Sequence, residues 1–296
     1  MFRRRAGADG PRVPRGKRCG WLIIVRFFCV LGVVRNFILL QFAAVLPFAF
    51  GTFAADGLPG DRRGGPGPES GQEVYNSEPS KESPLPAEQA ARQWKFPDGF
   101  LVSDFASEPA VRQPIAMAMD HRGRLWVAEG YTYAEHRTGF AADLRDRIII
   151  LEDTDGDGRH DQRTVFCEGL DKLSSIEIGF GGVWALALPQ MVFIPDKDGD
   201  DRPDGPAEVK LDGFEWKVSH HTIANGLRWG PDGWLYGRHG IQATSLIGKP
   251  GSPDPSRARM NVGIWRYHPQ RQTVEVVCEG TTNPWGMDWN EFGEAF

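Results

Sequence analysis

The sequence has few cysteines and no long uninterrupted apolar run. Four of its 296 residues are cysteine, which excludes a small domain held together by a disulfide framework. No Cys-x-x-Cys-His motif occurs, so there is no attachment motif for a c-type haem. The apolar run at 37–50 has 14 residues and contains Gln41. That length is short for a membrane-spanning helix and typical of a signal-peptide core.

Positive charge is concentrated at the N-terminus. Residues 1–35 hold nine Lys and Arg and one acidic residue, a net charge of +8, and the remainder carries −13. The basic segment and the apolar run predict that residues 1–55 are a signal peptide or membrane anchor. We therefore expect an exported protein, periplasmic or membrane-associated, that contacts the membrane only through this segment. The acidic remainder argues against nucleic-acid binding.

Residues 56–93 are rich in Gly, Pro, Ser and Glu and show no apolar periodicity. Such a segment cannot bury enough apolar surface to offset the entropy cost of ordering it. We predict a disordered linker at 56–93 and a folded domain at 94–296.

A repeated pattern organises the folded part. An alternating strand, a Gly-centred turn and a second strand with an aromatic residue occur four times, with turn glycines at 123, 182, 233 and 293. Val-x-Cys-Glu-Gly at 165–169 recurs at 276–280, the same offset of 111 that separates Gly182 from Gly293. Short strands with a period of 50–60 residues predict an all-β fold, a β-propeller of four-stranded blades.

About three and a half blades are present, because the sequence ends inside the second strand of a fourth unit. We expect the chain to be part of a longer protein or half of an assembly. The strand predicted at Phe100–Ala106 would complete the outer edge of a last blade.

Cys167 and Cys278 are expected to be buried outer-strand residues, too far apart for a disulfide. The predicted strands are 116–120, 124–130, 147–152 and 163–168, then 176–180, 183–188, 191–195 and 208–211, then 227–229, 234–237, 263–267 and 274–279. The aromatic residues expected to pack between blades are Trp126, Trp184, Trp229, Trp234, Tyr236 and Trp265.

Two acidic loops have the spacing of calcium ligands. Carboxylates at alternate positions, with glycine to turn the chain, are what calcium requires. The twelfth position of an EF-hand is Thr164 or Ala207 instead of Glu, so neither loop is an EF-hand. Calcium is expected in the first loop more than in the second, and a solvated acidic turn is the alternative for both. The candidate ligands are Asp153, Asp155, Asp157 and Asp161 in the first loop and Asp196, Asp198, Asp200 and Asp204 in the second.

Five motifs occur in a characteristic order. They are Gly-Phe-Leu-Val-Ser at 99–103, Leu-Glu-Asp-Thr-Asp-Gly-Asp-Gly at 151–158, Gly-Phe-Gly-Gly-Val-Trp at 179–184, Trp-Gly-Pro-Asp-Gly-Trp-Leu-Tyr-Gly at 229–237 and Thr-Asn-Pro-Trp-Gly at 282–286. Residues 96–296 therefore resemble the N-terminal propeller domain of the membrane-bound dehydrogenase proteins of planctomycetes and verrucomicrobia. They are more distantly similar to the glucose/sorbosone dehydrogenases, six-bladed propellers that use pyrroloquinoline quinone and calcium.

The resemblance implies a catalytic site. In the sugar dehydrogenases, a histidine shortly before the Gly-Pro-Asp strand takes the proton from the sugar hydroxyl, which makes His221, or else His220, the candidate base. An Arg-Asn-Pro motif binds the quinone carboxylates in those enzymes. Here Asn283 is retained, but Thr282 stands in place of the arginine, which puts the cofactor in question.

Strand-end positions add further candidates for cofactor binding. Arg238 and His239 end a second strand and could supply positive charge near the axis, and Glu129 holds the matching place in the first unit. A solvated loop is the alternative for Arg238, His239 and Glu129, and a surface histidine pair is the alternative for His220 and His221.

Two functions are compatible with these residues and motifs. One is an exported dehydrogenase module that oxidises a sugar or polyol with a quinone-type cofactor and passes electrons to a cytochrome c domain or protein. The other is a non-catalytic propeller that binds glycans or another protein, which Thr282 favours.

Overall fold

The computed structural model describes residues 84–133 and 140–296, and in this part of the chain the protein is built mainly of β-strands. This confirms the predicted all-β class. No helix in these residues is long and apolar enough to cross a bilayer. The elements are helix α1 Ala87–Gln93 and strands β1 Pro114–Met119, β2 Leu125–Glu129, β3 Asp146–Glu152, β4 Gln162–Leu170, β5 Leu173–Ile178, β6 Gly182–Ala187, β7 Gln190–Pro195, β8 Glu208–Leu211, β9 Asn225–Trp229, β10 Leu235–His239, β11 Ser245–Ile247, β12 Ala258–Met260, β13 Gly263–His268 and β14 Thr273–Glu279.

The predicted signal peptide or anchor at 1–55 and the linker up to residue 83 lie outside the described residues. The last part of the predicted linker contains α1. Ala91, in this helix, is buried. Regular structure therefore begins before Trp94.

Three four-stranded antiparallel sheets form the body. The first is β1–β2–β3–β4, the second β5–β6–β7–β8 and the third β9–β10–β13–β14. The first strands of successive sheets pack together, β1 against β5 and β5 against β9. All twelve predicted strands are present, with ends shifted by three residues or fewer. The hairpin β11–β12, between the second and third strands of the third sheet, was not predicted from the sequence.

The fourth unit forms a short hairpin. The backbone groups of Asp288 and Phe296 exchange two hydrogen bonds of 3.0 Å, and Trp289 bridges Ala295. The turn residue Gly293 has φ +78°, a conformation that favours glycine. The predicted strand–turn–strand pattern is therefore present here, but its two strands are reduced to an isolated bridge between one pair of residues.

The core lies between neighbouring sheets. Ile148 and Ile150 of β3 project with Trp126 towards the second sheet. Trp184 of β6 packs with Trp265 and Tyr267 of the third sheet. Burial of each large apolar side chain contributes about 1.5–3 kcal/mol. The expected packing role of the aromatic residues holds for Trp126, Trp184, Trp234, Tyr236 and Trp265, which are buried, and Trp229 is partly buried against the same core.

Two expectations for individual segments are wrong. Residues 100–106 form no strand. Ala106 packs instead on Val127 and Ile149, on the face of the first sheet that points away from the second. Cys278 is exposed, because β14 is an edge strand and six of its seven residues are exposed. Its counterpart Cys167 is partly buried, and burial raises the pKa of its thiol to about 12.

Candidate functional site

The antiparallel order of the strands separates two groups of candidate residues. Each sheet has two ends. The end at which its first strand begins and its second strand finishes is called the upper end. The opposite end is the lower end. The six candidates for catalysis and cofactor binding all lie at the upper end, and the eight aspartates lie in loops at the lower end. Strands of five to seven residues, at about 3.3 Å per residue, put roughly 20 Å between the two groups. A cation in either acidic loop would therefore be remote from His221.

His221 lies where a loop of the first sheet meets the connection that enters the third sheet. Its Nδ1 shares a hydrogen bond with the Tyr133 hydroxyl, and the ring centroids are 5.7 Å apart. His220 packs edge-on against Phe140, with centroids 5.5 Å apart. Burial raises the pKa of Tyr133, so its hydroxyl stays protonated at neutral pH. The two histidines thus belong to an aromatic cluster and are not free surface side chains.

Asn283 reaches the same place from the third sheet. A Cβ on Gly240 would lie 2.6 Å from the Asn283 Oδ1 and 2.6 Å from the Cβ of Thr222, the residue after His221. Only glycine allows Asn283 and Thr222 to approach the backbone this closely. The Oδ1 of Asn283 is buried and has no hydrogen-bond partner. The structure therefore brings together the His221 and Asn283 loops, which the sequence separates by some 60 residues.

Arg238 adds a buried positive charge beside these loops. It is 7% exposed, and its guanidinium lies over Gly226, where a Cβ would be 1.6 Å from the Arg238 Nη1. Its Nη2 donates to the Met287 carbonyl at 3.3 Å, and its Nε has no partner. Burial, and then repulsion from Arg228, lowers the pKa of Arg238 to about 10. The group is still cationic at neutral pH.

Glu129 is fully buried and has protein partners. It accepts hydrogen bonds from the Arg112 backbone at 2.7 Å, the Tyr131 hydroxyl at 2.9 Å and the Arg147 Nε. Burial and the Glu129 charge raise the pKa of Tyr131 to about 12. These contacts hold the loop that begins at Gly130 and so give Glu129 a supporting function.

His239 is also buried and bonded through both ring nitrogens. Its Nδ1 lies 2.8 Å from the Gly240 carbonyl and 2.7 Å from the Asn261 carbonyl, and its Nε2 lies 2.7 Å from the Ser245 hydroxyl. Since carbonyls only accept, Nδ1 carries the proton and Nε2 accepts from Ser245. Burial lowers the pKa of His239, so the neutral ring fixes the β11–β12 hairpin.

Backbone N–H groups of the first acidic loop donate hydrogen bonds to the carboxylates of the same loop. Carboxylate oxygens of Asp153, Asp155 and Asp161 lie within 4.8 Å of one another, and Asp157 is not part of this group. Both oxygens of Asp153 accept hydrogen bonds from the loop backbone, at 2.7 Å from Gly156 and 2.9 Å from Gly158. The loop therefore has internal donors for its most enclosed carboxylate.

The second loop leaves an acceptor unused. Oxygens of Asp196, Asp198 and Asp200 lie within 4.8 Å of one another, whereas Asp204 accepts from the Lys197 backbone at 2.6 Å. The Oδ1 of Asp196 is buried without a hydrogen-bond partner. Burial, together with the charges of Asp201 and Asp200, raises the pKa of Asp196. Asp196 therefore has a carboxylate oxygen free to contact a cation, whereas both oxygens of Asp153 in the first loop are bonded to the backbone.

Three residues of the upper end were not predicted from the sequence. Tyr133 could have been noticed as an aromatic residue in the loop after Glu129. Gly226 and Gly240 show their importance only through the side chains that lie on them. No local sequence pattern indicates that these two glycines support the site.

Comparison with solved structures gives distant likenesses. An oxidoreductase of the glucose dehydrogenase type from Thermus thermophilus is 20% identical, with a TM-score of 0.39 over 62% of this chain and 57% of that one. The PQQ-bound aldose sugar dehydrogenase of Streptomyces coelicolor is 17% identical, with a TM-score of 0.26 over 43% and 36%. A luciferin-regenerating enzyme is 12% identical, with a TM-score of 0.35 over 62% and 50%. The chain thus spans about half the length or less of these structures.

Comparison with proteins of curated function gave no match. A family model described as a domain of unknown function, DUF7133, matches residues 86–296. These residues include α1, all three sheets and the fourth hairpin. The chain therefore belongs to the DUF7133 family.

Proposed function

We propose that this chain is part of an exported oxidoreductase that oxidises a hydroxyl of a sugar or polyol with a quinone-type cofactor. The position of His221, Asn283 and Arg238 at the same end of the sheets, with the His221 and Asn283 loops in contact at Gly240, is the observation that carries the proposal. It combines a candidate base with a buried cation and a buried amide oxygen that lacks a partner. The motifs that resemble those of the sugar dehydrogenases indicate the same class of reaction.

The proposal includes a β-propeller. Each sheet is a four-stranded antiparallel meander, and first strands of successive sheets are neighbours. Blades arranged around a common axis have this organisation. In such a ring the upper ends of the first strands would surround one pocket, to which every blade contributes loops.

The residues of the upper end fit a carboxylated quinone. Pyrroloquinoline quinone would accept the two electrons of the alcohol when bound. Thr282 cannot offset its carboxylate charge, but Arg238 provides a buried cation at the same end of the sheets as Asn283. Both side chains have a buried polar atom without a partner, as a binding site for a polar group requires.

His221 is the proposed general base, with His220 as the second candidate. Imidazole is the side chain that most often transfers protons as a general base at neutral pH. If its Nδ1–H donates to the Tyr133 hydroxyl oxygen, Nε2 keeps the lone pair that accepts the substrate proton. Tyr133 is then a positioning residue that selects this tautomer.

Replacing His221 by alanine should lower turnover by about 10²–10⁴-fold, because a positioned general base contributes that much. Dye reduction by the full-length protein, loaded with pyrroloquinoline quinone and calcium, would be followed across a panel of sugars and polyols. His268→Ala serves as the control, since His268 packs on Trp234 at the lower end of the third sheet. Equal turnover of His221→Ala and wild type removes His221 from the mechanism.

The second candidate function is a non-catalytic propeller that binds glycans or a protein. Thr282, in place of the arginine of the sugar dehydrogenases, is the observation that favours it. Binding of glycans without dye reduction by any quinone-loaded sample would support this function and overturn the oxidoreductase. We also propose export through residues 1–55, which a secretion assay would test. Electron transfer to a cytochrome c partner is also proposed, and the sequence downstream would test it.

We further propose a structural calcium ion in the second acidic loop. Calcium at 100 times its dissociation constant would stabilise the protein by about 2.7 kcal/mol. Adding calcium to chelator-treated protein should therefore raise Tm, and Asp196→Asn should remove most of that rise. Asp153→Asn is the matched variant in the first loop, and it should leave more of the rise intact. An unchanged Tm in wild type would contradict a structural site.

A further inference from the structure

Unpaired buried polar atoms cluster at the upper end. Among the described residues, four buried side-chain atoms have no hydrogen-bond partner. One is the Asp196 Oδ1 of the lower acidic loop. The other three are the Asn225 Oδ1, the Arg238 Nε and the Asn283 Oδ1. Since buried polar atoms in proteins are almost always bonded, a local group of exceptions calls for a specific explanation.

Strand pairing places the first two of these side chains together. Asn225 and Arg238 are Cα partners across β9 and β10, and side chains of opposed residues project from the same face of a sheet. The pairing shifts by one residue next to Gly226, which has φ +62°. Because Gly226 has no Cβ, the guanidinium can lie directly over the strand at this bulge. Asn283 follows on the same side, against Gly240.

The charge of Arg238 has no close counter-ion in the described part of the chain. No carboxylate oxygen there forms an ion pair with it within 4.0 Å. Asp288 acts on it from farther away and bonds Arg228 at 3.0 Å. A buried cation without a counter-ion is strongly unfavourable, and an anionic ligand would remove that penalty.

The amide of Asn225 limits the chemistry of the ligand. Its Nδ2 donates to the Ile223 carbonyl at 3.0 Å, which fixes the orientation of the amide and leaves Oδ1 as an acceptor. The ligand must then present an anionic oxygen to Arg238 and a donor to Asn225. A carboxylate with neighbouring hydroxyl groups has both.

We propose that Arg238 and Asn225 form a subsite for the carboxylate and an adjacent hydroxyl of a sugar acid. This inference rests on the proposed function and narrows its substrate from neutral sugars to hydroxycarboxylic acids. The carboxylate accepts from the Arg238 Nε, and the hydroxyl donates to the Asn225 Oδ1. A quinone carboxylate shares the anionic half of this chemistry, and the experiment separates the two sources.

Isothermal titration of the full-length protein with glucuronate, glucose and pyrroloquinoline quinone tests the subsite. Wild type should bind glucuronate, and at least about tenfold more tightly than glucose, as expected for a hydrogen bond to a charged group. Arg238→Gln should remove this preference. Arg271→Gln is the matched control, because Arg271 is exposed in the turn between β13 and β14, at the lower end of the third sheet. It should leave the preference within about twofold of wild type.

A second variant covers the case in which Arg238→Gln does not fold. Asn225→Asp supplies an internal carboxylate beside Arg238 and should also remove the preference for glucuronate. Equal binding of glucuronate and glucose by wild type, or an unchanged preference in both variants, overturns the subsite. Loss of quinone binding alone in Arg238→Gln assigns the arginine to the cofactor and overturns the sugar-acid subsite. Glucuronate binding without dye reduction supports the subsite while contradicting the oxidoreductase.

Discussion

Replacing Arg124 by methionine should lower the free energy of unfolding by about 3–5 kcal/mol at neutral pH. Arg124 links the first and second sheets: its Nε donates to Asp120 at 2.8 Å, and its terminal nitrogens donate to Asp201 at 2.6 and 2.7 Å. The Asp120 side chain is 3% exposed, so the variant leaves a buried carboxylate without its counter-ion. Urea denaturation measures the loss.

The loss should depend on pH. Burial alone would raise the pKa of Asp120, but hydrogen bonds from Trp126 and Arg124 outweigh it and lower the pKa below 3.8. A depressed folded-state pKa stabilises the protein above the unfolded value and loses that effect as the pH falls through the folded value. The difference between the unfolding free energies of wild type and Arg124→Met should therefore narrow as the pH falls from neutral to below 3.8, because Asp120 becomes protonated first in the variant and then in wild type. A difference that is constant from pH 7 to pH 3 would contradict this account.

The control is an exposed arginine in a simple pair. Arg92 of α1 lies 3.4 Å from Glu88, and its side chain is 79% exposed. Arg92→Met should change the free energy of unfolding by less than about 0.5 kcal/mol, because solvent screens exposed pairs. A comparable loss in both variants would mean that the removed arginine stem, and not the buried charge, causes the effect.

Replacing Trp265 by alanine should cost about 3–5 kcal/mol, the range for truncating a large buried aromatic residue. Its ring is fully buried between the second and third sheets, with its centroid 5.3 Å from that of Phe214. Thermal and urea unfolding give the change. Trp285→Ala is the matched control, since Trp285 is 50% exposed, and it should cost less than about 1 kcal/mol.

A double-mutant cycle tests the packing of this ring on Gly237. A Cβ on Gly237 would lie 2.2 Å from the Trp265 Cζ2, so Gly237→Ala alone should cost about 1–3 kcal/mol by overpacking. In the Trp265→Ala background, the added methyl group has room and the cost should largely disappear. Additive losses would show that the two residues do not share this contact.

The strands could be predicted from the sequence because their signals are local. Apolar alternation recurs in each unit, and the predicted turn glycines Gly123 and Gly233 have positive φ. In the second unit the turn contains Gly181, and the predicted turn residue Gly182 begins β6. The hairpin β11–β12 was missed because its three-residue strands are too short to show alternation. Cys278 was misjudged because the burial of an outer strand depends on what covers it.

The candidate site was predictable only in part. His221 and Asn283 were found from motifs, and the structure brings their loops together at Gly240. Glu129 and His239 look equivalent to Arg238 at the ends of second strands. Their protein partners distinguish them, because both are fully bonded whereas Arg238 keeps a buried Nε without a partner.

The sequence by itself determined the all-β class, the repeat and the positions of Glu129, Arg238 and His239 at the ends of second strands, since these follow from local patterns. Only the tertiary structure decided which groups have partners. Arg124 meets Asp201 from 77 positions away, and Arg238 lies over Gly226 because this residue has no side chain to exclude the guanidinium. Such contacts depend on the packing of sheets and on strand register, which no local pattern of residues encodes.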